Sequence, residues 1–116
     1  MAVEKKRFYD GDIEQMLLDY GPLGVVVEAD DGWINYRSGV YSCPFSILAH
    51  DINHSVVIVG YTQDYWIVKN SWGTFWGENG FMRIKRNIFY NCEIGTAIYY
   101  LSGTYSDPTD PGEYDD

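Results

Sequence analysis

Two apolar, β-rich runs, residues 55–61 and 65–70, are separated only by Thr62-Gln63-Asp64, and this arrangement constrains the chain more than any other. A connection that short reverses the chain and pairs the runs as a hairpin. In an antiparallel pair the start of one strand lies beside the end of the next. His54, just ahead of the first run, and Asn70, closing the second, are therefore predicted neighbours. An imidazole beside a carboxamide has a chemical use: one group moves protons and the other fixes its orientation.

The elements around this hairpin are short. Asp12 with Gln15 three residues on fits a capping box, and Ile13, Met16, Leu17 and Tyr20 follow as one apolar helical stripe. Gly21-Pro22 stops the helix. Residues 23–29 read as a buried strand, Asp30-Asp31-Gly32 as a turn and 33–36 as a helical turn. Short strands are expected at 38–41, 81–86 and 97–101, with an edge strand within 3–9. Loops fill 42–52, which holds a small apolar run at 45–49, then 73–80 and 87–95. The expected fold is mainly β with one or two short helices: five or six antiparallel strands in a barrel-like sheet. Residues 102–116 carry two prolines, two glycines and five acids without a base, and read as a disordered acidic tail behind a domain of residues 1–101.

Composition narrows the function. Seventeen acids against eight bases give a net charge of −9, which argues against nucleic acid as a partner. Without the tail, 12 acids and 8 bases leave −4. No apolar run approaches the roughly 20 residues that span a bilayer. The basic start, Met1-Ala2-Val3-Glu4-Lys5-Lys6-Arg7, lacks the apolar segment of a secretory signal. Eleven Tyr and four Trp fit an aromatic β core, or a partly apolar surface that takes a partner. Cys43 and Cys92 allow one disulfide or two free thiols. Gly73, Gly77 and Gly80 serve the backbone of their loop, because their spacing is not that of a phosphate-binding loop.

Asn53-His54, an apolar strand ending in Gly60-Tyr61, and then Tyr-Trp-Ile-Val-Lys-Asn-Ser-Trp-Gly-Thr-Phe-Trp-Gly-Glu-Asn-Gly over 65–80 form a long and specific block. It resembles the C-terminal, histidine-bearing half of the papain-like cysteine peptidases, with the likeness running from about Phe8 to Leu101. The resemblance implies that His54 is the general acid–base and Asn70 its orienting group. It places Trp72 over their hydrogen bond, excluding water. Val26, Ser55 and Ala97 match positions lining the pocket for the second residue before the cleavage site, and small side chains there would admit Leu or Phe. Asn53 stands where some relatives carry an Asp, so no charge tunes the catalytic pair from that position. The resemblance also implies a Cys43–Cys92 disulfide, hence a lysosomal or extracellular setting. No cofactor or metal is implied. His50 has no such context and reads as an ordinary histidine.

What the pattern lacks bears equally on function. In the family the nucleophilic Cys heads a long helix in the other half, preceded by a Gln that helps form the oxyanion hole. Cys43, eleven residues before His54 and followed by Pro44, leaves open a local dyad with a helix begun by that proline. The expectation is otherwise a histidine-bearing half that hydrolyses peptide bonds through a thioester only when joined to a Cys-bearing half. Alone it is inactive, with a cleft face that pairs with that half or self-associates. Alternatives are a non-catalytic binding or structural module on the same fold, and an inhibitor-like regulator.

Overall fold

Seven strands, in a computed structural model that describes residues 2–4, 7–44 and 51–100, join into a single sheet. In chain order the elements are β1 (Ala2–Glu4), α1 (Asp10–Tyr20), β2 (Leu23–Val27), a short 3-10 helix (Asp31–Trp33), β3 (Val40–Tyr41), β4 (His54–Tyr61), β5 (Tyr65–Lys69), β6 (Phe81–Lys85) and β7 (Ile98–Tyr100). Across the sheet they run β1-β7-β2-β4-β5-β6-β3. This is the mainly-β architecture with one short α-helix that the sequence predicts. The described strands do not close it into a complete ring. One pairing departs from the expected antiparallel pattern: β3 runs parallel to β6, with Val40 opposite Arg83 and Tyr41 opposite Ile84.

Strand alternation decides which face is buried. Leu23, Val25 and Val27 of β2, Val56 and Ile58 of β4, Trp66 and Val68 of β5, and Met82 and Ile84 of β6 all point into one core. Ser55, Val57 and Val59 of β4 point the other way and stay exposed. The hairpin register sets Val57 opposite Lys69 and Ile58 opposite Val68, then slips by one residue before Gly60, where the strand bulges.

The helix covers the core with Ile13, and with Met16 and Leu17 partly buried against it. Its start differs from the predicted one. Asp12 is not the cap: the cap is Tyr9, three residues earlier, and the Asp12 carboxylate accepts from the Tyr9 backbone N–H at 3.0 Å. Gln15 instead donates to Asp19, an ordinary i,i+4 pair on an exposed face. At the other end Gly21, with φ of +79°, donates to the Leu17 carbonyl and ends the helix as expected. Arg86 pins α1 to the sheet. It donates to Asp10, Glu14 and the Thr62 carbonyl while lying over the Trp66 ring.

Cys43 and Cys92 form a disulfide with a Cα–Cα distance of 5.2 Å, joining the segment after β3 to the loop before β7. The bond agrees with the pairing that the resemblance implies. It also leaves Cys43 no free thiol, so the alternative Cys43–His54 dyad does not exist in this state. The predicted apolar run at 45–49, His50 and the acidic tail lie outside the described residues.

Candidate active site

The hairpin delivers the predicted pair. His54 opens β4 on the core-facing side of the strand, and Asn70 follows the last residue of β5, its backbone N–H donating to the Gly80 carbonyl. Asn70 is 6% exposed. Its Oδ1 lies 2.7 Å from His54 Nε2 and also accepts from the Ser71 backbone N–H at 2.8 Å.

Those two contacts fix the proton. An atom that accepts from a backbone N–H is the amide oxygen, so the ring nitrogen facing it must be the donor. The neutral His54 imidazole therefore carries its proton on Nε2 and leaves the lone pair on Nδ1. A ring held in that tautomer can take a proton from an acid at Nδ1 and return it to a leaving group. A carboxamide in that place can hold the ring's orientation without a charge of its own.

Aromatic rings surround the pair. Trp72 sits 5.1 Å from the His54 ring, tilted by 32°, and is 43% exposed, so one side of the imidazole is covered and the other face of the indole meets solvent. Two further tryptophans join them: Trp76, which belongs to the block over 65–80, and Trp33, for which the sequence carries no spacing signal. Trp33, fully buried, meets His54 edge-to-face at 5.8 Å and Trp72 at 6.3 Å. Trp76 stacks on Trp33 at 6.1 Å and donates from Nε1 to the Trp33 carbonyl at 2.7 Å.

The loop that carries Trp72 and Trp76 is shaped by its glycines, as expected. Gly77 has φ of +60°, and a Cβ there would stand 2.6 Å from the Phe81 carbonyl oxygen, a clash only glycine avoids. A bidentate Arg83–Glu78 pair closes the loop from below, with Nε–Oε1 at 2.9 Å and a second guanidinium nitrogen 2.7 Å from Oε2. Glu78 also accepts from the Gly39 N–H at 3.0 Å. The Arg83 hydrogen bond holds its carboxyl below the usual carboxylate range, against burial. Beside it, burial raises the Tyr36 hydroxyl. Burial and then Asp30, which accepts from Tyr41 at 2.5 Å, raise the Tyr41 hydroxyl further.

The residues assigned to substrate binding fall on the opposite face of the sheet from the core. Val26 pairs with Ser55 in register, and its N–H donates to the Ala97 carbonyl at 3.3 Å. The three are thus adjacent across β2, β4 and the approach to β7. A groove of about 490 Å³ begins at Ser55 and continues over Gly24, Val57, Lys69 and Tyr99; Val26 and Ala97 are not among its lining residues. Asn53 is engaged structurally. Its Oδ1 accepts from the Ala29 N–H at 2.9 Å and its Nδ2 donates to the Ala29 carbonyl at 3.2 Å, tying the start of β4 to the end of the β2 segment. Among the described residues, no group of three His, Cys, Asp or Glu is placed to hold a metal ion. No described helix is long and apolar enough to cross a membrane.

The model of the papain family of cysteine proteases matches residues 2–102. Cathepsin L of Sarcophaga peregrina is 39% identical over 100 residues, covering 78% of this chain and 29% of that protein. A cathepsin L-like proteinase of Fasciola hepatica is 46% identical over 79 residues, covering 65% of this chain and 24% of that protein. Among solved structures, the Carica candamarcensis cysteine protease CMS1MS2 aligns with a TM-score of 0.70 and 36% identity, over 84% of this chain and 46% of that one. The chain thus spans less than a third of these curated relatives and under half of that solved chain.

Proposed function

The chain belongs to the papain family of cysteine proteases, and from that premise we propose that it is the histidine-bearing half of a cysteine endopeptidase. The observation that carries the proposal is the 2.7 Å contact between His54 Nε2 and Asn70 Oδ1, with the proton fixed on Nε2 and the lone pair on Nδ1. A partner half supplies the thiol and the oxyanion donors. The thiol gives its proton to Nδ1, and the thiolate attacks the scissile carbonyl. The imidazolium then protonates the leaving amine, and water resolves the thioester. Trp72 shields the His54–Asn70 bond throughout.

The partner docks on the solvent face of β2, β4 and β7. Support comes from the groove beside Asn70 and from the exposure of Val57 and Val59 on the same strand face. An apolar sheet face of this kind is ordinarily covered. Val26, Ser55 and Ala97 contact the second residue before the scissile bond and favour Leu or Phe there. The disulfide supports a lysosomal or extracellular setting. The same exposed face fits a second reading, a non-catalytic module that uses the fold for assembly.

The test joins this chain to the Cys-bearing half of the Homarus americanus digestive proteinase 1, a relative at 41% identity, and assays a Leu/Phe reporter peptide. The isolated chain should show no hydrolysis and no labelling by an epoxide thiol reagent. The joined protein should hydrolyse the peptide, with His54→Ala costing about 10²–10⁴-fold. Hydrolysis by the isolated chain that survives Cys43→Ala would sink the proposal, as would a folded joined protein that binds the epoxide on its thiol but is indifferent to His54→Ala.

A further inference from the structure

His54 is flanked by two indoles of different character. Trp72 belongs to the glycine-rich loop and is nearly half exposed. Trp33 is fully buried and fastened from several sides. Its backbone N–H donates to the Asp30 carbonyl at 3.1 Å, its own carbonyl accepts from Trp76 Nε1, and its ring stacks on Trp76. Asp30, which caps the short helix holding Trp33, is in turn tied to Gly32 and to the Tyr41 hydroxyl. Tyr41 sits on β3, itself paired to β6. The backbone at Trp33 is thus anchored through two layers of contacts, while its ring, whose Nε1 has no hydrogen-bond partner, is held by packing on Trp76 and stands at 87° to the imidazole.

We propose that Trp33 is a positioning residue for His54: the fixed wall against which the imidazole is held so that Nε2, and not a ring carbon, meets Asn70. The catalytic consequence rests on the peptidase reading above; the geometric role does not. Turning the imidazole about its Cβ–Cγ bond would remove Nε2 from Asn70 Oδ1 and move the Nδ1 lone pair from its place. A single hydrogen bond to a half-buried ring does not prevent that rotation. A perpendicular, fully buried aromatic neighbour does, because a ring turning past it must displace close-packed atoms. Trp72 covers the imidazole, but a loop side chain exposed on one face cannot supply the same restraint.

The experiment is nitrogen-15 and proton NMR of the whole chain, observing the Nε2–H of His54 and the ring nitrogen shifts that report the tautomer. In the parent chain the Nε2–H should appear as a protected low-field signal. In Trp33→Leu it should broaden or vanish, with both tautomers populated. Trp33→Phe, which restores an aromatic wall, should recover it. Trp66→Phe is the control for packing, since that ring is equally buried but meets Tyr61 and Arg86, not His54; it should lower stability and leave the signal alone. In the joined enzyme Trp33→Leu should lower kcat by about 3- to 10-fold with KM little changed, the range set by one lost aromatic pair. Should Trp33→Leu not fold, Trp33→Met carries the test. A folded Leu or Met variant that keeps the protected Nε2–H at parental exchange rate overturns the proposal. Failure of the joined protein to hydrolyse peptide would overturn the peptidase reading while leaving the NMR result to stand or fall separately.

Discussion

Arg86→Met removes a guanidinium whose side chain is only 8% exposed while keeping most of the stem volume. Three bonds go with it: to Asp10 at 3.1 Å, to Glu14, and to the Thr62 carbonyl at 2.7 Å. The ring contacts at 4.4 Å over Trp66 and 5.5 Å over Tyr61 also go. The terms are unequal. Asp10 and Glu14 are 44% and 34% exposed, so water replaces much of what they lose, and their share is closer to that of a surface pair than of a buried one. The Thr62 carbonyl left without its donor costs about 1–3 kcal/mol. A desolvated cation–π contact is worth up to about 2 kcal/mol. The net expectation is a loss of about 2–4 kcal/mol, reaching from below the range for breaking a buried ion pair into its middle, because both carboxylates are part-exposed. For a domain of this size that lowers the thermal midpoint by about 10–20 °C. Urea unfolding read by Trp fluorescence measures the free energy, and hydrogen exchange shows whether α1 loosens first. Burial of the charge predicts that added salt recovers little of the difference in the parent chain. A loss under about 1 kcal/mol, the value of an exposed pair, would refute the claim that Arg86 pins the helix.

Two further outcomes follow from the same packing. The Cys43–Cys92 bond spans a sequence separation of 49, so the Cys43→Ser/Cys92→Ser double variant should lose about 4 kcal/mol in the chain-entropy account; a denaturation midpoint equal to that of the oxidised parent would contradict it. Glu78 has its pKa lowered, first by the Arg83 hydrogen bond. Its contribution is therefore complete above the ordinary carboxylate value and is lost as pH falls through the lower folded value. Glu78→Gln should flatten the acid side of the thermal-midpoint profile, and an acid limb identical to that of the parent would exclude this group as its source.

Much of the site was legible because it is local. A hairpin with a three-residue connection brings His54 and Asn70 together by strand geometry alone, and the apolar alternation along β4 and β5 sets which face each occupies. The α1 stripe is legible for the same reason, since helical period is a property of neighbouring residues. A cap at Asp12 puts the start of α1 three residues late, because Asp12 reads equally well as a cap or as the third helical residue that reaches back to Tyr9. β3 is a different case. Nothing local marks Val40 and Tyr41 as partners of β6, and their parallel pairing depends on a distant strand and on the Glu78–Arg83–Gly39 contacts.

The sequence by itself determined the His54–Asn70 neighbour pair, the strand face each side chain takes, and the family, through the long block from Asn53 to Gly80. Only the tertiary structure decided the tautomer of His54, the buried indole of Trp33 behind it, and the closing of Cys43 onto Cys92. The physical reason is separation along the chain. Trp33 is brought to His54 from 21 positions away by the sheet order and a buried aromatic stack, and contacts across that distance depend on how whole elements pack, which no short-range period encodes.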